Sequence, residues 1–336
     1  MSRPTLRNTL RMAASAYAEQ DFERARDAAA TAVALSPDSV PAHHYLAASL
    51  AALGQPRAAD RAFHEGLTLA PGDPELLLGL CDLLTGELST DAPALEEALA
   101  LGELGGTLAA RKEDEGLTLE FALTCARALT SLGRPAEAVV RLAGFDAEEN
   151  TDLHLQRGMA HFELGALEAA AECFDLALAL EPDEALAHWY LGLIAEHLGE
   201  SDEALRHAER ARRLDPETFP TPFLSTTRTF EGAVERAIEQ LAPAWKSRIR
   251  RFEIVVEALP PRGRLGPLSP LALWDLRETG EGQTIALFRR NLERGSGSLE
   301  ALVKNLQRTL RRAIAKSGRP RHTPSPIQLY PAAIEQ

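Results

Sequence analysis

Apolar and small residues recur every three or four positions along the first two thirds of the chain, and the pattern restarts at a fixed distance. The stretches "AEQDFERARDAAATAVALSPDS", "AALGQPRAADRAFHEGLTLAPGD", "FELGALEAAAECFDLALALEPDE" and "AEHLGESDEALRHAERARRLDPET" share one layout. Each reads as the end of one helix, a turn, a second amphipathic helix and a terminating proline. Pro37 and Pro71 lie 34 residues apart, as do Pro182 and Pro216. A period of that length predicts stacked helical hairpins, about six of them between residue 4 and residue 217. The register is looser in the middle. A repeat opens near Leu119, whereas "PELLLGLCDLLTGELSTDAPALEEALALGELGGTLAARKEDEG" reads as a longer, degenerate one.

Beyond Pro216 the pattern changes. Pro220 and Pro222 mark a linker, an amphipathic helix opens near Thr229, and the β-branched run "RFEIVVEAL" predicts a strand. "LSPLALWDL" reads as a loop with a short element, "TIALFRR" as a second strand, and a last helix runs from about Ser298 to Lys316 with Ser298 as N-cap and Glu300 in its first turn. Helix, strand, strand, helix makes a compact α+β unit. The expected organisation is residues 1–217, 218–322 and a proline-rich, extended tail, 323–336.

The period and wording of the first part resemble the tetratricopeptide repeat family. Laid on that pattern, the small residues at helix crossings are Ala13, Ala47, Gly158 and Gly192, with partners Ala25, Ala59, Ala170 and Ala204, and the large knobs of the second helices are Phe63 and Phe174. The resemblance implies a concave face built from the first helix of each repeat, where a partner binds. That face carries Leu10, Tyr17, His44, Leu123, Leu155, Met159, Phe162, Trp189 and Leu193. It lacks the Lys and Asn set with which some members clamp a terminal carboxylate, so an apolar or helical partner segment fits better. The competing reading puts single members of this set in the core between repeats.

"FEGAVERAIEQL", "FEIVVEALP", "TIALFRRNLER" and "LEALVKNLQRTLRRAI" look like the small zincin-like bacterial metallopeptidase family over residues 216–320. The implied fold class is therefore mainly α, a tetratricopeptide-type α-solenoid followed by a small α+β zincin-like domain. Members of that family carry HExxH on the last helix, where two His on one face hold Zn²⁺ and the Glu between them is the general base. Here that helix reads "TLRRAIAKSGRPRH": Arg311 or Arg312 replaces the first ligand, Arg312 or Ala313 the base, and Ala315 or Lys316 the second ligand. His322 is the one histidine after residue 217, and no Cys lies beyond that point either. The departure implies a pseudoenzyme without metal or cofactor; the alternative is a residual peptidase that imports its ligands from elsewhere.

Charge sharpens this picture. The chain carries a formal net charge of -13, but residues 218–336 hold 19 Lys/Arg against 11 Asp/Glu, or +8, which leaves -21 for residues 1–217. Lys304, Arg308, Arg311 and Arg312 fall on one face of the last helix, a basic docking face for an acidic protein or for the chain's own solenoid. Nucleic acid over 289–321 is a third reading, weakened because no aromatic residue interleaves the cations. A solvated face with a cationic C-terminus is the plain alternative.

The remaining chemistry is sparse. Cys81, Cys125 and Cys173 lack CxxC spacing and read as reduced core thiols. His43 and His44 are adjacent, and His154 and His161 lie two turns apart, about 10 Å along a helix, too far to share one metal. No stretch has the length of a signal peptide's apolar core or a membrane span, which predicts a cytoplasmic protein. The expectation is a non-catalytic adaptor that binds protein partners.

Overall fold

The computed structural model describes residues 5–86, 91–146, 149–279 and 282–317. They fall into two compact units, Met1–Phe145 and Asp146–Gln336. The expected tail 323–336 and His322 lie outside the described residues.

The first unit holds α1 (Leu6–Ala18), α2 (Phe22–Leu35), α3 (Val40–Ala52), α4 (Pro56–Leu69), α5 (Pro74–Thr85), α6 (Ala92–Arg111), α7 (Glu115–Ser131) and α8 (Pro135–Leu142). Consecutive helices pair as antiparallel hairpins. Local chemistry sets their starts: the carboxylates of Asp21, Asp73 and Asp114 accept the backbone N–H groups of Arg24, Leu76 and Leu117, and proline occupies the first turn of α3, α4, α5, α6 and α8. The hairpin turns place Gln20 and Gly54 in the left-handed region, with φ of 60° and 66°. Ala13, Ala25, Ala47 and Ala59 are fully buried at the crossings, and Phe63 fills the space left by Gly79, where an added Cβ would stand 2.6 Å from its ring. The degenerate middle repeat is the hairpin α5–α6, with Cys81 buried on α5 and Cys125 buried on the following helix α7. Burial pushes their thiols up to about 12 and about 11, which disfavours the thiolate.

The second unit begins with the hairpins α9 (Thr151–Glu163)–α10 (Leu167–Leu180) and α11 (Ala185–Leu198)–α12 (Ser201–Leu214). Gly165 and Gly199 repeat the left-handed turn, at φ 72° and 83°, and Gly158 admits the Phe174 ring, which an added Cβ would meet at 2.8 Å. The chain continues through α13 (Thr227–Glu239), α14 (Pro243–Ile249), β1 (Phe252–Glu257), β2 (Trp274–Thr279), β3 (Gly282–Phe288), α15 (Arg289–Arg294) and α16 (Leu299–Lys316). Ser298 caps α16 by accepting the Ala301 N–H, with Glu300 in the first turn.

The sheet order is β1-β3-β2, with β1 parallel and β2 antiparallel to β3. The central strand is buried on both faces, which explains the unbroken apolar run "IALF". Ile285 and Leu287 join Phe230 of α13 and Leu302, Leu306 and Leu310 of α16 in one core. Ala286 and Phe288 point the other way, onto Leu268 of the β1–β2 loop. Beyond the helix, strand, strand, helix order stand α14, a single 3-10 turn at Arg262–Arg264, β2, where the sequence predicts only a short element, and α15. The charged strand β2 is stabilised by pairing, since Arg277 forks onto Glu257 of β1 at 2.5 and 2.9 Å and contacts Asp275 at 3.1 Å.

Candidate partner-binding site

In the first unit, the first helices of successive hairpins present a line of aromatic groups. Tyr17 of α1 lies edge-on to Tyr45 of α3, with centroids 6.3 Å apart, and Tyr45 meets His44 at 5.3 Å. His44 Nδ1 stands 3.4 Å from a carboxylate oxygen of Glu75 on α5. Leu10, Tyr17, His44 and Leu123 are all partly exposed. Tyr45 is absent from the face expected from sequence; it follows His44 on α3, and its partly buried ring packs against Ala13 of α1 and Ala28 and Ala29 of α2.

The second unit corrects part of the expected face. Leu155, Phe162 and Leu193 are 6%, 0% and 5% exposed and belong to the core of the two hairpins with Phe174 and Tyr190. They cannot contact a partner without unfolding the hairpins. Phe162 packs edge-on to Tyr190 at 5.1 Å. Met159 and Trp189 remain partly exposed, but Trp189 already meets Phe219, in the segment that follows α12, at 5.8 Å. Phe219 thus covers part of the Trp189 ring.

The β1–β2 loop holds this unit together. Leu265 and Leu271 pack against the core of the α9–α12 hairpins. A Cβ on Gly165 would stand 2.4 Å from the Leu265 side chain, so the α9–α10 turn admits the loop only because residue 165 is glycine. His197 Nε2 lies 3.2 Å from the Pro270 carbonyl oxygen, which also accepts the Asn291 side-chain amide at 2.9 Å. The Glu163 carboxyl is hydrogen-bonded to Ser269, and burial raises it to about 7. Arg262 pairs with Glu168. Arg294 and Arg290 of α15 both reach Glu196 of α11, Arg290 at 3.4 Å, and the buried Glu293 accepts the Ser225 hydroxyl at 2.6 Å.

These contacts divide the basic segment 289–321. Arg289, Arg290 and Arg294 are half-buried and engaged by carboxylates, so the segment is not one continuous cationic surface. Lys304, Arg308, Arg311 and Arg312 are exposed on α16; Lys304 pairs with Glu300 at 3.0 Å, and Arg311 donates to the Gln307 carbonyl at 3.2 Å. Among the described residues no three His, Cys, Asp or Glu side chains converge as metal ligands, and no helix is long and apolar enough to cross a membrane.

Residues 155–217 match the tetratricopeptide repeat family model. The solenoid fold is tetratricopeptide-like. Two solved structures share this fold. PilF of Pseudomonas aeruginosa is 15% identical with a TM-score of 0.50, covering 63% of this chain and 92% of that one. PilW, described as a widely conserved type IV pilus biogenesis factor, is 16% identical with a TM-score of 0.54, covering 64% and 96%. No curated protein sequence matches the chain.

Proposed function

We propose that the protein is a non-catalytic adaptor whose tetratricopeptide hairpins bind an apolar or helical segment of a protein partner. The observation that carries this reading is the partly exposed line of Tyr17, Tyr45 and His44 across the first helices of adjacent hairpins. Aromatic side chains provide large contact area at low entropic cost, which suits a docking surface. Leu10 and Leu123 extend the apolar lining within the first unit, and Met159 is the candidate within the second.

The C-terminal module, 218–322, acts in this reading as a brace for the last two hairpins and as a second docking element. Its wording resembles zincin-like metallopeptidases, yet Arg311, Arg312, Ala313, Ala315 and Lys316 stand where the zinc helix would need its ligands and base. A dication is repelled by such neighbours. We take the module to be a degenerate relative that keeps the shape and has given up the chemistry.

The test is affinity capture from native lysate with the full chain, with zinc measured on the same sample. A specific protein partner retained by the parent chain and lost with Tyr17→Glu, without bound zinc, is the expected result. Undiminished capture by Tyr17→Glu would remove the groove; stoichiometric zinc would restore the peptidase reading.

A further inference from the structure

We infer that the surface formed by α14 and the C-terminal half of α16 docks a short acidic segment of a partner protein. This rests on the reading of the C-terminal module as a docking element. Helix α14 was not foreseen in the sequence, and it changes the basic face. Arg248 of α14 donates to the Ile314 carbonyl oxygen at 3.1 Å, which seats α14 on the last turns of α16. The same guanidinium lies 5.2 Å from the centre of the Trp245 ring, and Trp245 rests against the module core. Arg248 and the Trp245 ring beneath it are therefore brought to the last turns of α16, more than fifty residues away in sequence.

Pairing separates this surface from the β1–β2 loop, β2 and α15, although Arg228 and Arg236 on α13 are likewise exposed without a carboxylate within ion-pair distance among the described residues. Arg262, Arg264, Arg277, Arg289, Arg290 and Arg294 each have a carboxylate within ion-pair distance. Arg248, Arg250 and Arg251, at the end of α14, and Arg308, Arg311 and Arg312, on α16, are exposed, and none has a carboxylate partner among the described residues. The last acidic residue of α16 is Glu300, already taken by Lys304. Helix α13 packs alongside through the shared apolar core and the amide pair Gln307 to Gln240 at 2.8 Å, and its exposed Glu231, Glu235 and Glu239 form no ion pair with α16 among the described residues. A helix dipole favours cations only in the final turn, which does not account for Arg308.

The occupant follows from charge and size. Six guanidinium groups select planar anions, which carboxylates offer as bidentate acceptors. The stretch of α16 from Asn305 to Ser317 spans roughly 18 Å, the length of about five or six residues of extended chain. A longer polyanion would run into an acidic field: residues 146–217 of the same unit carry 18 Asp/Glu against 5 Lys/Arg. One tryptophan gives a single stacking position, whereas nucleic-acid channels repeat them along the strand. A short acidic peptide meets both limits.

The experiment is fluorescence anisotropy at low ionic strength with the full chain and two probes, a labelled hexapeptide of alternating Asp and Glu and a labelled ten-nucleotide oligo-dT. The peptide should bind, and Arg308→Glu/Arg311→Glu should weaken it by about tenfold, while Arg7→Glu/Arg11→Glu on α1, an equal charge change, should not. Circular dichroism checks that both variants fold. Equal loss in both variants would reduce the effect to net charge and overturn the site. Tighter binding of oligo-dT than of the peptide would transfer the surface to nucleic acid, and no binding of either probe would leave a merely solvated face. The titration uses no residue of the aromatic line, so failure of the solenoid groove would leave it unchanged.

Discussion

Helices α15 and α16 are neighbours in sequence, both rich in arginine, and they use it in opposite ways. On α15, Arg290 and Arg294 are half-buried and converge on Glu196 of α11. On α16, Arg308, Arg311 and Arg312 are exposed and meet no carboxylate among the described residues. The first set fixes the module against the last two hairpins, and removing a partner there strands charge in a poorly solvated place. The second set contributes little to stability because each cation keeps its water.

The largest effect that this contrast predicts is at Glu196. Its replacement by Ala leaves Arg290 and Arg294 without their shared partner and should cost about 2–3 kcal/mol in urea unfolding, whereas Arg311→Ala should change stability by less than about 0.5 kcal/mol. Equal costs would erase the distinction between the two helices.

The same boundary contains a carboxyl that pH can probe. Glu163 sits raised to about 7 beneath the β1–β2 loop, above the ordinary 4.5 that holds in the unfolded chain. A folded value above the unfolded one means that the neutral form suits the folded state, so stability is greatest below the ordinary carboxylate range and declines as pH climbs toward 7. Glu163→Gln should therefore stabilise the protein at pH 8 by on the order of 2 kcal/mol and make no difference at pH 4. A pH-independent effect would assign Glu163 a packing role instead.

A smaller prediction concerns the repeats alone. Gln20 occupies the left-handed turn that glycine fills at Gly54, Gly165 and Gly199, so Gln20→Gly should stabilise by about 1 kcal/mol, read as a raised unfolding midpoint. Smallest of all, Arg308→Glu/Arg311→Glu should leave the midpoint within the error of measurement while it weakens the acidic hexapeptide.

The hairpins were legible in the sequence because one constraint repeats: a small residue at each crossing, a left-handed turn and a proline, at a spacing of 34 between Pro37 and Pro71. The concave face was legible only in part. Leu155, Phe162 and Leu193 lie at the edge of the core-facing stripe, and a modest rotation of a helix decides whether such a position meets solvent or a neighbour; spacing alone does not fix it. Strand β2 was hidden by Asp275, Arg277 and Glu278, which look like loop until Glu257 on β1 supplies the partner. The β1–β2 loop, rich in Pro and Gly, has no periodicity to betray that Leu265 and Leu271 enter the hairpin core. Its role depends on Gly165, a hundred residues earlier in the chain.

The central claim is that the module and the α9–α12 hairpins form one cooperative body through that loop. Hydrogen exchange of the full-length Leu265→Asp variant tests it most directly. The account predicts that protection falls together in α9, α11 and the β1–β3 strands. Loss of protection confined to residues 258–273, with the hairpins as protected as in the parent chain, would contradict it.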